Sequence, residues 1–212
     1  MKSKNPLRMP FKYSYKRVTL YLILINVLVF FLSLNIPKLG IYFPLNTVAV
    51  LYYKMYWQFG TYMFMHGSLS HLFFNMLGLL IFGTQVERTI GSKEFLLFYM
   101  LTGILSGVFS YGYYYFTGQN ASLIGASGVV YSILFAYAVL YPRSTFFVLC
   151  IIPIPAPILV LIYTIIELGS QFFTVSNVAH FTHLFGFLTA WLYFVIRMGI
   201  HPIKIWKNAY TR

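Results

Sequence analysis

Hydrophobic residues in this chain do not alternate with polar ones; they collect in long runs separated by short polar or proline-containing breaks. Six runs are long enough to cross, or nearly cross, a hydrocarbon core of ~30 Å: about Val18–Leu34, Leu69–Val86, Phe95–Phe116, Ser127–Tyr141, Ile154–Phe173 and Val178–Val195. Each predicts a helix, and together they predict an all-α, polytopic membrane protein of six transmembrane helices. The expected divisions are a basic tail over 1–17, a membrane domain over 18–197 and a second basic tail over 198–212. No small-residue cleavage site follows the first run, which predicts an uncleaved span in place of a signal peptide. Two breaks are unusual. Residues 35–68 carry Tyr42, Phe43, Tyr52, Tyr53, Tyr56, Trp57 and Tyr62, side chains that favour the headgroup region and predict short helices lying sideways in the outer interface. Residues 146–157 hold Pro153, Pro155 and Pro157, so the fifth span is expected to start near Ile154–Ile158 after an irregular apolar lead-in.

Charge then orients the helices. Only 8% of residues are charged, against 59% hydrophobic, with a mean hydropathy of +0.75. The net charge of +12 comes from lysines and arginines that flank the apolar runs and do not interleave with stacking aromatics, which points to anionic lipid and away from nucleic acid. With a cytoplasmic N-terminus, thirteen basic residues fall inside and only Lys38 and Lys54 outside. Both termini are therefore expected in the cytoplasm of a plasma-membrane protein, with Ser127 opening a helix that runs inward from the outer side. The single cysteine, Cys150, excludes internal disulfides and thiolate metal sites. Glu87, Glu94 and Glu167 are the only acids and there is no aspartate, so a Ser-His-Asp triad, calcium loops and paired-carboxylate chemistry are excluded.

Several polar side chains sit at the outer ends of these runs: His66, then His71 and Asn75 at i and i+4 on one helical face, Ser127, and His183. Ionisable groups at membrane depth are costly and mark functional sites, the alternative for each histidine being a hydrogen bond to a neighbouring helix. The predicted helix directions bring all of them to one face of the membrane. The run from Ser127 to Tyr141, stopped by Pro142, makes ~22 Å of helix in a ~30 Å core, which sets the serine roughly 8 Å below the outer surface. His183 lies five residues beyond Val178, again ~8 Å deep. Gly186 and Ala190 follow it on its own face and permit a close helix approach, for which the helix carrying Ser127 and Tyr131 is the natural partner. Gly125 and Gly128 free the backbone and the space around the serine, at a helix start whose first-turn N–H groups are unpaired.

From about Trp57 to Ala190 the chain resembles the rhomboid intramembrane serine proteases. The matching stretches, in order, are His66-Gly-Ser-Leu-Ser-His71-Leu-Phe-Phe-Asn75, Gly83-Thr-Gln-Val-Glu87-Arg88-Thr-Ile-Gly91-Ser92, Gly125-Ala-Ser127-Gly128 with Tyr131, and His183-Leu-Phe-Gly186. The resemblance implies that Ser127 is the nucleophile and His183 its base, that His71 and Asn75 help hold the oxyanion, that Tyr131 packs on the imidazole, and that Glu87 is a structural glutamate at the inner end of the second span. Two positions depart from the family pattern. Trp57 is followed by Gln58 where many members have arginine, and Ala190 replaces the second glycine of the sixth helix.

The residues by themselves imply acyl transfer: His183 takes the Ser127 proton, Ser127 attacks a peptide carbonyl, and first-turn N–H groups with His71 and Asn75 donate to the oxyanion. With no aspartate, no third residue is expected to charge against the imidazolium, and aromatic packing is expected to orient it. The expected partners are transmembrane protein substrates that unwind near their outer ends, because a stable helix hides its scissile bonds. No cofactor or metal is expected: His180 is one turn from His183, but there is no His-Glu-x-x-His pattern. Glu167 is expected to reach the headgroups from the outer end of the fifth helix. Two other readings carry less. A catalytically silent rhomboid-like protein that binds membrane segments would lack the serine or the histidine, and a haem-binding bundle is disfavoured by the clustering of the histidines at one membrane face.

Overall fold

The computed structural model describes residues 8–148, 151–173 and 179–211. Cys150 and Val178, the expected start of the sixth run, lie outside the described residues. The principal helices are α1 (Val18–Asn35), α2 (Leu69–Ile90), α3 (Ser92–Phe116), α4 (Ser127–Leu140), α5 (Ala156–Phe173), α6 (His180–Met198) and α7 (Pro202–Tyr210). Among the described residues, α1, α2, α3 and α6 are long and apolar enough to cross a membrane, while α4 and Ala156–Gln171 of α5 are shorter apolar stretches.

The helices are apolar on their outer faces as well as in the core. Helix α1 exposes Tyr21, Leu24, Leu28 and Phe31 and buries Thr19 and Asn26. Polar groups elsewhere are buried too, and they pair: between α3 and α6 the Ser110 and Thr182 hydroxyls lie 2.8 Å apart, and those of Ser106 and Thr189 3.3 Å. In lipid such contacts and small side chains, not hydrophobicity, hold helices together. At the end away from Ser127, Glu87 accepts from the backbone N–H of Val18 at 2.7 Å and of Thr19 at 2.9 Å, satisfying orphan donors at the start of α1. Glu94 accepts from Arg197 Nε at 2.8 Å and Nη2 at 3.0 Å and from Tyr193 Oη at 2.5 Å. The chain on either side of the bundle folds back onto this end. Lys16 N–H donates to Ser92 Oγ at 2.7 Å, and residues 202–210, within the second basic segment, form α7, whose Trp206 indole donates to Ala138 O at 2.9 Å.

The aromatic segment between α1 and α2 contains short helices Leu39–Tyr42, Thr47–Tyr53 and Gln58–Thr61, with Tyr42, Tyr52, Tyr53, Tyr56 and Trp57 exposed. Its two-residue strand β1 (Leu45–Asn46) pairs antiparallel with β2 (Ser122–Leu123), immediately ahead of α4, in the register Leu45↔Leu123. Gln58 is fully buried; it accepts from Asn46 N–H at 3.1 Å and donates to Ile41 O at 3.3 Å. A neutral amide thus stitches this segment to itself. The lead-in to α5, expected to be irregular, is instead a hairpin of β3 (Thr145–Val148) with β4 (Ile152–Pro155). A two-stranded ribbon has only edges, so Pro153 and Pro155 can turn their donor-less nitrogens outward. Helix α5 then starts at Ala156 with Pro157 in its first turn, where a missing N–H costs nothing.

Candidate active site

The loop that delivers Ser127 to the start of α4 is held by the β1–β2 pair and by Gly125 N–H, which donates to Tyr62 O at 3.0 Å. Gly125 has φ +111°, and a Cβ there would fall 2.6 Å from His71 Nε2. Only glycine fits both the angle and the space. One turn further, α4 meets α6 backbone to backbone: a Cβ on Gly186 would lie 2.2 Å from the Gly128 carbonyl oxygen, and Ser132 Oγ donates to Gly186 O at 2.8 Å. That approach brings Ser127 Oγ and His183 Nε2 to 2.8 Å. The imidazole stacks on the Tyr131 ring, with centroids 4.3 Å apart and planes 10° from parallel.

The other imidazole nitrogen faces an acid. His183 Nδ1 lies 3.0 Å from Glu167 Oε1, close enough for an ion pair although not aligned as a hydrogen bond. Glu167 Oε2 lies 2.5 Å from His180 Nδ1, and Tyr131 Oη donates to Oε1. Two expectations are corrected here. Glu167 does not reach the headgroups, being only 5% exposed, and the imidazole does have a third residue beside it. The physical reason is that α5 turns Ile165, Ile166 and Leu168 outward, leaving the carboxylate inward where donors from α4 and α6 satisfy it; a buried carboxylate without them would be costly. A sequence signal existed. Glu167 precedes Phe173 by six residues, about 9 Å of helix rise, level with Ser127 and His183.

A cavity of ≈ 400 Å³ opens over this cluster, lined by Ser127, His183, His71, Asn75, Tyr131 and Gly125 among others. The Asn75 Nδ2 group is buried without a hydrogen-bond partner, and a Cβ on Gly125 would be 3.6 Å from it. His66 does not line the cavity. It stands behind His71, rings edge-on with centroids 5.1 Å apart, and burial together with the neighbouring His71 pushes its pKa down to about 4, so it is neutral at physiological pH. Glu167, His180 and His183 offer potential metal-ligand atoms within 4.8 Å of one another. Both carboxylate oxygens, however, already face donors within the cluster, which reads as a hydrogen-bonded group.

A family model described as Rhomboid domain matches residues 53–199, more than half of the chain. The chain belongs to the rhomboid family. The matched part of this rhomboid contains Ser127, His183, His71, Asn75 and Glu167 together. The chain is 36% identical over 135 residues to Rhomboid protease GluP of Bacillus subtilis, covering 63% of this chain and 24% of that protein. It is 33% identical over 142 residues to the mitochondrial RHOMBOID-like protein 12 of Arabidopsis thaliana, covering 58% of this chain and 41% of that protein. With Rhomboid protease GlpG of Haemophilus influenzae the identity is 30% over 125 residues, covering 56% and 59%. The chain thus spans less than two thirds of the length of each of these relatives. Together with the apolar helices, family membership makes this a multi-pass membrane protein.

Proposed function

We propose that this rhomboid is an intramembrane serine endopeptidase that hydrolyses peptide bonds in transmembrane segments of membrane-protein substrates. The observation that carries the reading is the 2.8 Å contact of Ser127 Oγ with His183 Nε2 beneath an open cavity. As Oγ bonds to the scissile carbonyl carbon, its proton passes to Nε2 and the carbonyl electron pair moves onto oxygen. Donors for that oxyanion are the N–H groups at the start of α4, the unpartnered Asn75 amide, and His71. Collapse breaks the C–N bond, and the proton moves from Nε2 to the departing amine. A water then repeats the sequence on the acyl-enzyme and regenerates Ser127. The silent-binder alternative has nothing to favour it, since serine and imidazole are both present and in contact.

The same reading takes α1 to α6 as six spans in a plasma membrane, with both basic segments at a cytoplasmic surface rich in anionic lipid and the cavity open to the outer side. Reconstituted in lipid, the protein is expected to cleave a model transmembrane substrate and to be labelled by a fluorophosphonate. Ser127→Ala should abolish both while inserting and purifying normally. Cleavage retained by that variant sinks the reading.

A further inference from the structure

We propose that Glu167 is a positioning residue for this reaction, the third member of a Ser127–His183–Glu167 relay whose carboxylate holds the imidazole with Nδ1–H toward α5 and Nε2 toward the serine. The inference rests on the hydrolase reading above.

The tautomer follows from elementary chemistry. An ionised carboxylate only accepts hydrogen bonds, so a nitrogen 3.0 Å from it is the protonated one. In the neutral ring Nε2 is then bare, and it lies 2.8 Å from Ser127 Oγ, the arrangement a general base requires. When the Ser127 proton reaches Nε2, the new positive charge sits beside Glu167, which stays unprotonated throughout; the proton leaves later with the amine. The poor alignment of Nδ1 with Oε1 in the free enzyme is of the kind that tightens as the imidazolium forms.

The carboxylate is also built in. Tyr131, which stacks on the imidazole, gives its hydroxyl to Oε1, and His180, one turn from His183, gives Nδ1 to Oε2. The base and the acid therefore share their supports. The titratable groups that face His183 are His71 of α2, Tyr131 of α4, Glu167 of α5 and its own neighbour His180, while α3 presents hydroxyls to α6 here. Of the three acids in the chain, Glu87 and Glu94 lie at the opposite end of the bundle. Only Glu167 can supply the negative charge.

The test is substrate cleavage by the full chain in lipid, with kcat and KM measured separately for wild type, Glu167→Gln and Glu167→Asp and with Ser127→Ala as the inert control. The carboxylate acts on the imidazole and not on the substrate, so the Gln variant should lose kcat by roughly 10- to 100-fold with KM little changed, less than the ~10⁴ that an acid-to-amide change costs in a soluble serine protease, because Tyr131 still orients the ring. Glu167→Asp keeps the charge on a shorter arm, so its kcat should recover part of that loss while staying below wild type. An unchanged kcat in the Gln variant overturns the proposal, as does a loss carried by KM alone or an equal loss in Gln and Asp. Where Glu167→Gln does not accumulate, Glu167→Asp decides: full wild-type kcat overturns the proposal, and a loss of kcat with KM kept supports it. Activity lost to a chelator and restored by zinc overturns it by making the cluster a metal site. A wild type that neither cleaves nor labels sinks the hydrolase reading itself, a separate outcome.

Discussion

At the residue scale, His180 and His183 differ in what each ring reaches. His183 touches Ser127 with one nitrogen and approaches Glu167 with the other, whereas His180 reaches Glu167 at 2.5 Å. His183→Ala is therefore expected to eliminate both cleavage and fluorophosphonate labelling of Ser127, and His180→Ala to keep a substantial part of both, since Tyr131 still holds the carboxylate. The opposite pattern would move the base one turn along α6. In the proposed mechanism His71 and Asn75 belong to a different step. There the buried, unpartnered Asn75 amide and the His71 ring against Gly125 act on charge that develops only in the transition state. Their alanine variants should lower kcat more than they raise KM, by roughly a hundredfold or about 3 kcal/mol for one donor. A change confined to KM would assign them to substrate docking.

At the scale of elements, the site depends on how closely α4 and α6 can approach. The 2.2 Å separation between the Gly128 oxygen and a Cβ built on Gly186 leaves no room for a methyl group, because the obstacle is backbone and cannot rotate away. Gly186→Ala should push the helices apart, costing about 1–3 kcal/mol of stability through overpacking. It should also cost up to ~10²-fold in activity through a displacement of order 1 Å between serine and base. Thermal unfolding and turnover measured on the same preparation check both; a variant with wild-type turnover would mean that the contact is not what sets the Ser127–His183 distance. The segment between α1 and α2 acts on the same site from the other side, gripping the loop ahead of Ser127 through β1–β2 and the Tyr62 carbonyl.

For the whole molecule, the proposed orientation rests on charge asymmetry, with thirteen basic residues on one side and Lys38 and Lys54 on the other. In a Cys150→Ser background, cysteine introduced at Lys38 or Lys54 should react with an impermeant thiol reagent in intact cells, and cysteine at Lys93 should not. The reverse pattern would place the cavity on the cytoplasmic side.

How much of this was written in the sequence follows from the range of the interactions involved. Helix rise is a local property, so counting residues from the ends of the apolar runs gives an expected common depth for Ser127 and His183, whose side chains the structure brings to 2.8 Å. Steric exclusion at Gly186 is equally local in origin: a small residue on the face of His183 marks where another helix can come close. Rotation of a helix about its own axis is not local. Ile165, Ile166, Glu167 and Leu168 stand in one apolar stretch, and lipid accepts almost any face of it, so hydropathy does not say which way the acid points. That direction is decided by donors from Tyr131, His180 and His183, on two other helices, and only the tertiary structure brings them together. The hairpin before α5, the pairing of β1 with β2 and the docking of α7 through Trp206 were hidden for the same reason: each is a contact between segments whose own composition is indifferent to it.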